Sequence, residues 1–257
     1  MTRYKGYFID LDGTMYRGQE QIEGAKEFVQ ALCTKNIPYL FITNNSTQTP
    51  VAFANKLRNM GIPATKEQVL TSALATAKYI SHIQKDARCM VIGEAGLYEA
   101  LKQEKITVVT EEDCDFVVIG LDQQVTYEKL AKACLAVRKG AKLISTNADV
   151  AIPTERGFVP GNGAITSVIS VSTGIKPIFI GKPEAIIMKE ALAILGLAKE
   201  ETLMVGDNYQ TDILAGIKAG IDTLMVFTGV TPYEDYPSLP QKPTYYVHHL
   251  MEWLPRI

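Results

Sequence analysis

The sequence predicts an α/β protein that contains two parallel sheets. Apolar, β-rich segments alternate with helical patterns along most of the 257 residues, and this alternation is typical of βαβ units. The strand segments are apolar at nearly every position, which indicates strands that helices cover on both faces. The strands are too numerous for one small sheet, so we expect two α/β layers, one of them inserted into the other.

The first part of the chain contains three predicted strands and two predicted helices. The strands are GYFIDL, PYLFITN and QVLTS, and the helices between them are GAKEFVQALCTKN and TPVAFANKLRNMG. The second helix should end near Gly61, because a glycine that is closely followed by a proline, here Pro63, commonly ends a helix.

Two further blocks repeat the alternation. The second block has strands in RCMVIGE, FVVIGL and KLISTN, with helices in LYEALKQEKI and TYEKLAKACLAVRKG. The third block has strands in PIFIGKP, TLMVGD and TLMVFTG, with helices in AIIMKEALAILGL and DILAGIKAG. We place the insert at residues 84–176 and the main domain at residues 1–83 and 177–257. The aromatic and proline-rich tail should pack over the edge of the main sheet.

The composition excludes several classes of protein. Hydrophobic residues make up 47% and charged residues 21% of the chain, and the net charge is −2, as is usual for a globular protein. Without a dense run of Lys or Arg, nucleic acid is not an expected partner. Early acidic residues and the lack of an apolar run of about 18 residues predict a cytoplasmic protein without membrane contact. The four cysteines are widely spaced, which favours buried free thiols over a zinc site.

Asp10 and Asp12 stand at the carboxyl end of the first predicted strand. Side chains at this place point into the crevice above the carboxyl ends of a parallel sheet, where such sheets bind ligands. Two carboxylates this close repel each other unless a cation lies between them, and Mg²⁺ is a hard cation that prefers oxygen ligands. The alternative is that Asp12 caps the N-terminus of a helix.

A second acidic strand end occurs in LMVGDNYQTD. Asp207 stands at the tip of the strand, and Asp212 opens the following helix. Asp207 has no comparable structural explanation, whereas Asp212 is also a typical helix cap. The two acidic strand ends together indicate a metal site.

Two more strand ends carry groups suited to phosphate. FITNNST places Thr43, Asn44 and Asn45 at the end of a strand, and FIGKP places Lys182 at a strand end, directly before Pro183. Hydroxyl, amide and ammonium groups donate hydrogen bonds to phosphate oxygens, and Pro183 should occupy the first position of a helix. Four such strand ends in one chain predict a phosphate site beside the metal.

These four motifs resemble those of the haloacid dehalogenase (HAD) superfamily, in the same order: D-x-D-G-T, a strand ending in Thr-Asn, G-K-P, and G-D-x-x-x-x-D. The segments ITNNS and STNADVAIPTERGFVPGNGAI are similar to those of subfamily IIA, the NagD or para-nitrophenylphosphatase branch. The resemblance covers essentially the whole chain. It implies a Rossmann-like core with an inserted α/β cap of the C2 type and a Mg²⁺-dependent phosphomonoesterase activity.

The resemblance also implies a role for each motif residue. Asp10 would attack phosphorus and become an aspartyl phosphate. Asp12 would protonate the leaving oxygen and then deprotonate the hydrolytic water, while Thr43 and Lys182 would hold the transferring phosphoryl group. The implied metal site comprises Asp10, Asp12 through its backbone carbonyl, Asp207 and, near them, Asp212.

The substrate is expected to be a small phosphorylated metabolite. The resemblance suggests sugar phosphates, including acid sugar phosphates, ahead of nucleoside monophosphates, with para-nitrophenyl phosphate as a substrate in vitro. Besides Thr43 and Lys182, the candidate binding residues are Asn44, Asn45, Asn147 and Asp149. The last two follow a strand of the insert, where the alternative is that they cap a loop. A cap with its own sheet also suggests a homodimer.

Two other functions use similar residues. A phospho-receiver signalling module also combines an aspartate, Mg²⁺, Thr and Lys, but its phosphorylated aspartate lies in the middle of the chain. The other alternative is a phosphotransferase or phosphomutase of the same superfamily, although a phosphomutase usually carries a smaller helical cap. A dehalogenase is disfavoured because it would need neither Asp12 nor Asp207.

Overall fold

The computed structural model of the protein describes residues 4–154 and 156–257. In chain order the strands are β1 (Gly6–Ile9), β2 (Tyr16–Arg17), β3 (Glu20–Gln21), β4 (Tyr39–Thr43), β5 (Val69–Thr71), β6 (Arg88–Ile92), β7 (Thr107–Val109), β8 (Phe116–Ile119), β9 (Lys142–Ser145), β10 (Ala151–Thr154), β11 (Gly157–Pro160), β12 (Ile178–Phe179), β13 (Thr202–Gly206), β14 (Asp222–Val226) and β15 (Tyr245–Val247). The helices are α1 (Ala25–Thr34), α2 (Pro50–Asn59), α3 (Ser72–Ile83), α4 (Ala95–Gln103), α5 (Tyr127–Arg138), α6 (Asn162–Thr173), α7 (Ala185–Leu195) and α8 (Leu214–Ala219).

The chain forms two compact units. The first unit comprises Met1–Thr43, Pro50–Leu70 and Lys182–Ile257, and the second comprises Asn44–Thr49 and Thr71–Gly181. Both α3 and β12, which flank the predicted insert at residues 84–176, belong to the second unit. The predicted boundary between a catalytic core and a cap stays a prediction.

The first unit contains a six-stranded sheet with the strand order β15-β14-β13-β1-β4-β5. Strand β1 pairs in parallel with β13 on one side and with β4 on the other, and β14 pairs in parallel with β13 and β15. Every residue of β1, β4 and β13 is buried, as the apolar strand segments predict. The carboxyl ends of these three adjacent strands therefore lie side by side.

The main core of the first unit lies between this sheet and the helices. Helix α1 buries Ala25, Phe28, Val29 and Leu32, spaced so that they share one helical face. The Phe28 ring meets Tyr7 of β1 edge to face, with 5.8 Å between ring centroids. Full burial of each large apolar side chain contributes about 1.5–3 kcal/mol, which fixes the strand that leads to Asp10.

The C-terminal tail adds to this sheet. Strand β15 pairs in parallel with β14 and forms one edge of the sheet. After it, Trp253 is buried, and its indole N–H donates to the Tyr7 hydroxyl at 3.4 Å. The tail thus extends the sheet as well as covering its core.

The second unit contains its own five-stranded sheet, in the order β12-β9-β8-β6-β7. All of its paired strands are parallel, and an antiparallel hairpin, β10–β11, accompanies it. The α/β fold with parallel sheets is confirmed. Strand β12 belongs to this second sheet, although its segment, PIFIGKP, begins the third block of the sequence.

Two local predictions need correction. Pro183 does not begin α7, because the helix starts at Ala185 and Glu184 is its N-cap residue. The predicted helix DILAGIKAG begins as a π-helical turn, Tyr209–Ile213, which leads into α8. Within residues 4–154 and 156–257, no helix is long and apolar enough to cross a bilayer.

Candidate active site

Asp10 lies at the carboxyl end of β1, and its residue is only 7% exposed. Its backbone N–H donates to the carbonyl of Val205 at 2.9 Å, which continues the pairing of β1 with β13. Oδ1 accepts a hydrogen bond from Nζ of Lys182 at 2.5 Å, whereas Oδ2 is buried and has no hydrogen-bond partner among the described residues. A buried carboxylate oxygen without a donor is costly, so this atom marks a place for a ligand.

Lys182 is the cation of the site. Its Nζ donates to Oδ1 of Asp10 at 2.5 Å, Oδ1 of Asp212 at 2.7 Å and the carbonyl of Ile42 at 3.1 Å. Burial lowers the pKa of Lys182, but the two carboxylates outweigh that effect and hold its pKa above the usual value. The ammonium is therefore charged and has one acceptor for each of its three protons.

Asp207 directly follows strand β13 and is fully buried. Its Oδ1 accepts a hydrogen bond from the hydroxyl of Thr14 at 3.0 Å, and its Oδ2 accepts one from the backbone N–H of Val230 at 2.7 Å. Burial raises the pKa of Asp207 to about 6, and the nearby charge of Asp212 adds to this rise. The two hydrogen bonds counteract the shift.

Asp212 lies in the π-helical turn that follows β13. Its Oδ2 accepts the backbone N–H of Asn208 at 3.0 Å, while its Oδ1 accepts Nζ of Lys182 at 2.7 Å. Gly206 permits this approach, because a Cβ on that residue would lie 2.3 Å from the Cβ of Asp212. Asp212 therefore both caps the turn and contacts the buried lysine.

Three carboxylates meet at this end of the sheet. Asp10, Asp207 and Asp212 are buried, and each offers an oxygen within 4.8 Å of the others. Burial raises the pKa of Asp10, and the charge of Asp212 raises it further against the opposing effect of Lys182. One ammonium cannot neutralise three carboxylates. An all-oxygen donor set with one unsatisfied oxygen on Asp10 fits a hard divalent cation such as Mg²⁺.

Asp12 lies outside the carboxylate cluster. Its residue is exposed, and its backbone forms an isolated bridge with Tyr16. The strand β2 follows it rather than a helix, so the alternative of a helix cap is wrong. Partial burial of the carboxyl raises the pKa of Asp12, and the charges of Lys56 and Arg17 oppose that rise.

Thr43 is the last residue of β4 and is buried. Because β4 pairs in parallel with β1, with Phe41 opposite Ile9, Thr43 ends the strand next to the one that leads to Asp10. The predicted phosphate-binding threonine and the predicted nucleophile thus stand at adjacent strand ends of one sheet.

The four remaining candidates lie in the second unit. The amide of Asn44 donates to both carboxylate oxygens of Asp149, at 3.3 and 3.2 Å, and the amide of Asn147 donates to the carbonyl of Asn44 at 2.7 Å. Asn45 accepts the N–H of Thr47 at 2.9 Å. Asn147 also accepts the N–H of Asp149 at 3.0 Å. Asn147 therefore caps its loop, as the alternative reading of this residue has it, whereas contact of the four residues with substrate stays a prediction.

The chain is similar to known hydrolases over its whole length. Residues 7–107 match the family of haloacid dehalogenase-like hydrolases, and residues 179–253 match a HAD-hydrolase-like family. The sequence is 56% identical over 257 residues to 5′-nucleotidase YutF of Bacillus subtilis (strain 168), with 100% of both chains covered. It is 59% identical over 245 residues to an acid sugar phosphatase of Staphylococcus epidermidis, with 95% of each covered.

The chain belongs to the haloacid dehalogenase-like hydrolases. A crystal structure of a double mutant of a thermostable NPPase from Geobacillus stearothermophilus superimposes with a TM-score of 0.93 at 56% identity, covering 98% of this chain and 99% of that one. Within the family, the similarity places the chain in the NagD-like subfamily IIA. The protein is a phosphoric monoester hydrolase.

Some residues of this HAD site were not predicted from the sequence. Thr14 was part of the D-x-D-G-T motif, but its partner Asp207 lies 193 positions away. The contact of the Val230 N–H with Asp207 could not be predicted, because every residue except proline has a backbone N–H. Lys56 carried no motif, and its position over the ring of Tyr16, at 3.7 Å from the centroid, depends on how α2 packs.

Proposed function

We propose that this HAD hydrolase is a Mg²⁺-dependent phosphatase of small phosphorylated metabolites that acts through an aspartyl phosphate on Asp10. The observation that carries the proposal is the buried Asp10 carboxylate, with one oxygen bound to Lys182 and the other without a donor, beside Asp207 and Asp212. Such a group is placed both to hold a cation and to accept a phosphoryl group.

Asp10 and Asp207 would hold the metal through their carboxylates, with Asp12 contributing its backbone carbonyl. The bound Mg²⁺ would supply positive charge against the charge of the phosphoryl oxygens. Asp212 is better suited to hold Lys182, because both of its oxygens already accept hydrogen bonds from the chain.

The chemistry would proceed in two displacements. In the first, a carboxylate oxygen of Asp10 bonds to phosphorus, the bond from phosphorus to the leaving oxygen breaks, and Asp12 gives that oxygen its proton. In the second, water attacks the aspartyl phosphate while Asp12 takes its proton, and the bond between Asp10 and phosphorus breaks to release inorganic phosphate. Lys182 and Thr43 would hold the phosphoryl group through both steps.

Asp12 suits the role of acid and base because of its environment. The residue as a whole is exposed and lies outside the carboxylate cluster, while partial burial of its carboxyl raises the pKa of that group. A raised pKa increases the protonated fraction that can serve a leaving oxygen.

The leaving group would be a small sugar or sugar acid. The ammonium of Lys56 is half-buried over the Tyr16 ring and forms no ion pair within the described chain, and its charge acts on Asp12. Arg17 also acts on Asp12. The positive charges of Lys56 and Arg17 near Asp12, the proposed general acid, favour a leaving group that carries a carboxylate. The name of one relative, an acid sugar phosphatase, agrees with such a leaving group.

We assign the cap to the predicted insert, residues 84–176, where Asn147 and Asp149 would contact the leaving group together with Asn44 and Asn45. The same insert would provide the contact surface of a homodimer. Neither assignment is needed for the reaction at Asp10.

The test is phosphate release by the purified protein from para-nitrophenyl phosphate. We expect release with Mg²⁺, none with EDTA, and none from an Asp10→Asn variant that remains folded by circular dichroism. A phosphoprotein that persists for hours would instead favour a phospho-receiver module, and phosphate that reappears on a sugar would favour a phosphomutase.

A further inference from the structure

A segment outside all four motifs contacts the carboxylate of Asp207. This segment, Thr228–Val230, follows β14 and runs past the end of β13. The backbone N–H of Val230 donates to Oδ2 of Asp207 at 2.7 Å. One residue later, the N–H of Thr231 donates to the backbone carbonyl of Asp207 at 3.3 Å. The segment therefore holds both the side chain and the backbone of this acid.

Two glycines leave the space that the Asp207 carboxylate occupies. A Cβ on Gly229 would lie 1.9 Å from Oδ2 of Asp207, and a Cβ on Gly13 would lie 2.3 Å from the same atom. Gly13 also has a φ of +90°, which disfavours other residues. Gly229 has no such φ, so only the lack of space excludes a side chain there.

The segment is also bonded to the loop that follows the first motif. The hydroxyl of Thr228 donates to the carbonyl of Gly13 at 2.7 Å. The guanidinium of Arg17 donates to the carbonyl of Thr228 at 2.6 Å. Through these bonds, the segment joins the loop after Asp10 to the strand end of Asp207.

These contacts fix one orientation of the Asp207 carboxylate. Thr14 binds one oxygen and Val230 binds the other, and each oxygen keeps a further lone pair for a cation. A ligand that is already oriented loses little conformational freedom when the metal binds. Groups that orient metal ligands in this way commonly change metal affinity about 10–100-fold when they are removed.

We propose that Thr228–Val230 is a positioning segment that orients Asp207 for the divalent cation. The inference rests on the proposed function, because it takes Asp207 to be a metal ligand. If the segment has this role, the loss of its contacts should change the free energy of Mg²⁺ binding more than the free energy of unfolding. A segment that merely packs the loop would change stability and leave Mg²⁺ affinity unaltered.

The experiment compares Val230→Pro with Val230→Ala. Proline removes the N–H that binds Asp207, whereas alanine keeps it and shortens a side chain that is 65% exposed. Mg²⁺ dissociation constants are measured by calorimetric titration and by the rise of the melting temperature with Mg²⁺ concentration. We expect a dissociation constant about 10–100-fold higher for Val230→Pro and an unchanged constant for Val230→Ala.

Two further variants keep the test decisive if the proline variant does not fold. Gly229→Ala should displace the Asp207 carboxylate and weaken Mg²⁺ binding similarly. Thr228→Val removes the bond to Gly13 and should weaken binding, with Thr228→Ser as the control that retains a hydroxyl. Saturating Mg²⁺ should restore kcat in these variants more than it does in Asp207→Asn.

The outcomes separate this inference from the proposed function. Wild-type protein that binds Mg²⁺ and hydrolyses para-nitrophenyl phosphate, with folded Val230→Pro, Gly229→Ala and Thr228→Val variants of unchanged Mg²⁺ affinity, would overturn only the positioning role. Wild-type protein without Mg²⁺ binding would overturn both proposals.

Discussion

The Nζ of Lys182 lies 2.5 Å from Oδ1 of Asp10, and both side chains are buried at the end of β1. This contact joins residues 172 positions apart. The same ammonium reaches Asp212 at 2.7 Å, so one cation stands between two acids. It would neutralise part of the carboxylate charge before substrate arrives and contact the phosphoryl group afterwards.

Replacing Lys182 by Met should damage both stability and activity. The change leaves Asp10 and Asp212 buried without their cation, and the loss of one partner of a buried ion pair costs about 3–5 kcal/mol. In the variant that remains folded, we expect kcat to fall by about 10²–10³-fold. Urea unfolding without metal and phosphate release with Mg²⁺ measure the two effects. A Lys182→Met variant of unchanged kcat would contradict the role of the ammonium, and Lys182→Arg is the control that keeps the charge.

Asp212 and Asp207 should differ in their effects on metal binding. Because both oxygens of Asp212 already accept hydrogen bonds from Lys182 and the N–H of Asn208, Asp212→Asn should weaken Mg²⁺ binding by only about tenfold. Asp207→Asn alters the proposed direct ligand and should abolish measurable binding. Calorimetric titration of both variants provides the comparison. Equal losses would show that Asp212 is a direct ligand.

Lys56 should affect substrates that carry a carboxylate on the leaving group. Replacing it by Met removes the half-buried ammonium near Asp12, which contributes about 0.5–1 kcal/mol to binding an anionic group. We expect kcat/KM for 6-phosphogluconate to fall about twofold to fivefold, with a smaller change for glucose 6-phosphate. Steady-state kinetics with the two substrates measure the difference. Parallel losses on both would contradict a role in selecting the leaving group, and Lys56→Arg is the matched control.

Cys89 should be unreactive in the folded protein. It is buried in β6, and burial raises its pKa to about 12. Because the thiolate is the reactive form, at pH 8 only roughly one molecule in ten thousand carries it. Reaction with a disulfide reagent should therefore label the exposed Cys33 rapidly and spare Cys89 until the protein unfolds.

The control for this labelling is Cys33→Ser, which should remove the fast phase. Unfolding the protein in urea at pH 8 should add a further phase from Cys89, because the thiol is then accessible and no longer buried. Rapid labelling of Cys89 at pH 8 would contradict its burial.

The sequence predicted the parts of the fold that follow from burial patterns. The strands β1, β4 and β13 are buried throughout, as their mostly apolar sequences predict, and motif residues stand at or directly after their carboxyl ends. The hairpin β10–β11 was not predicted, because most of its residues are exposed and leave no apolar pattern. Strand β12 belongs to the second sheet because it pairs with β9. The local sequence pattern of a strand does not identify its pairing partner.

The sequence predicted the charged side chains of the candidate site better than the groups that hold these side chains in place. Asp10, Asp207, Asp212 and Lys182, which belong to three of the four motifs, lie together at one end of the sheet. Asp12 stands apart from the carboxylate cluster, since the chain turns into β2 after it. The N–H of Val230 that holds Asp207 belongs to the backbone, so no residue type identifies it in the sequence.

The most direct measurement is the site of covalent phosphorylation during turnover. The protein is mixed with para-nitrophenyl phosphate and Mg²⁺, quenched rapidly in acid, digested, and analysed by mass spectrometry. Our account predicts one phosphoryl group on Asp10 in the wild-type protein and none in Asp10→Asn. A phosphoryl group on another residue, or full activity of Asp10→Asn, would contradict it.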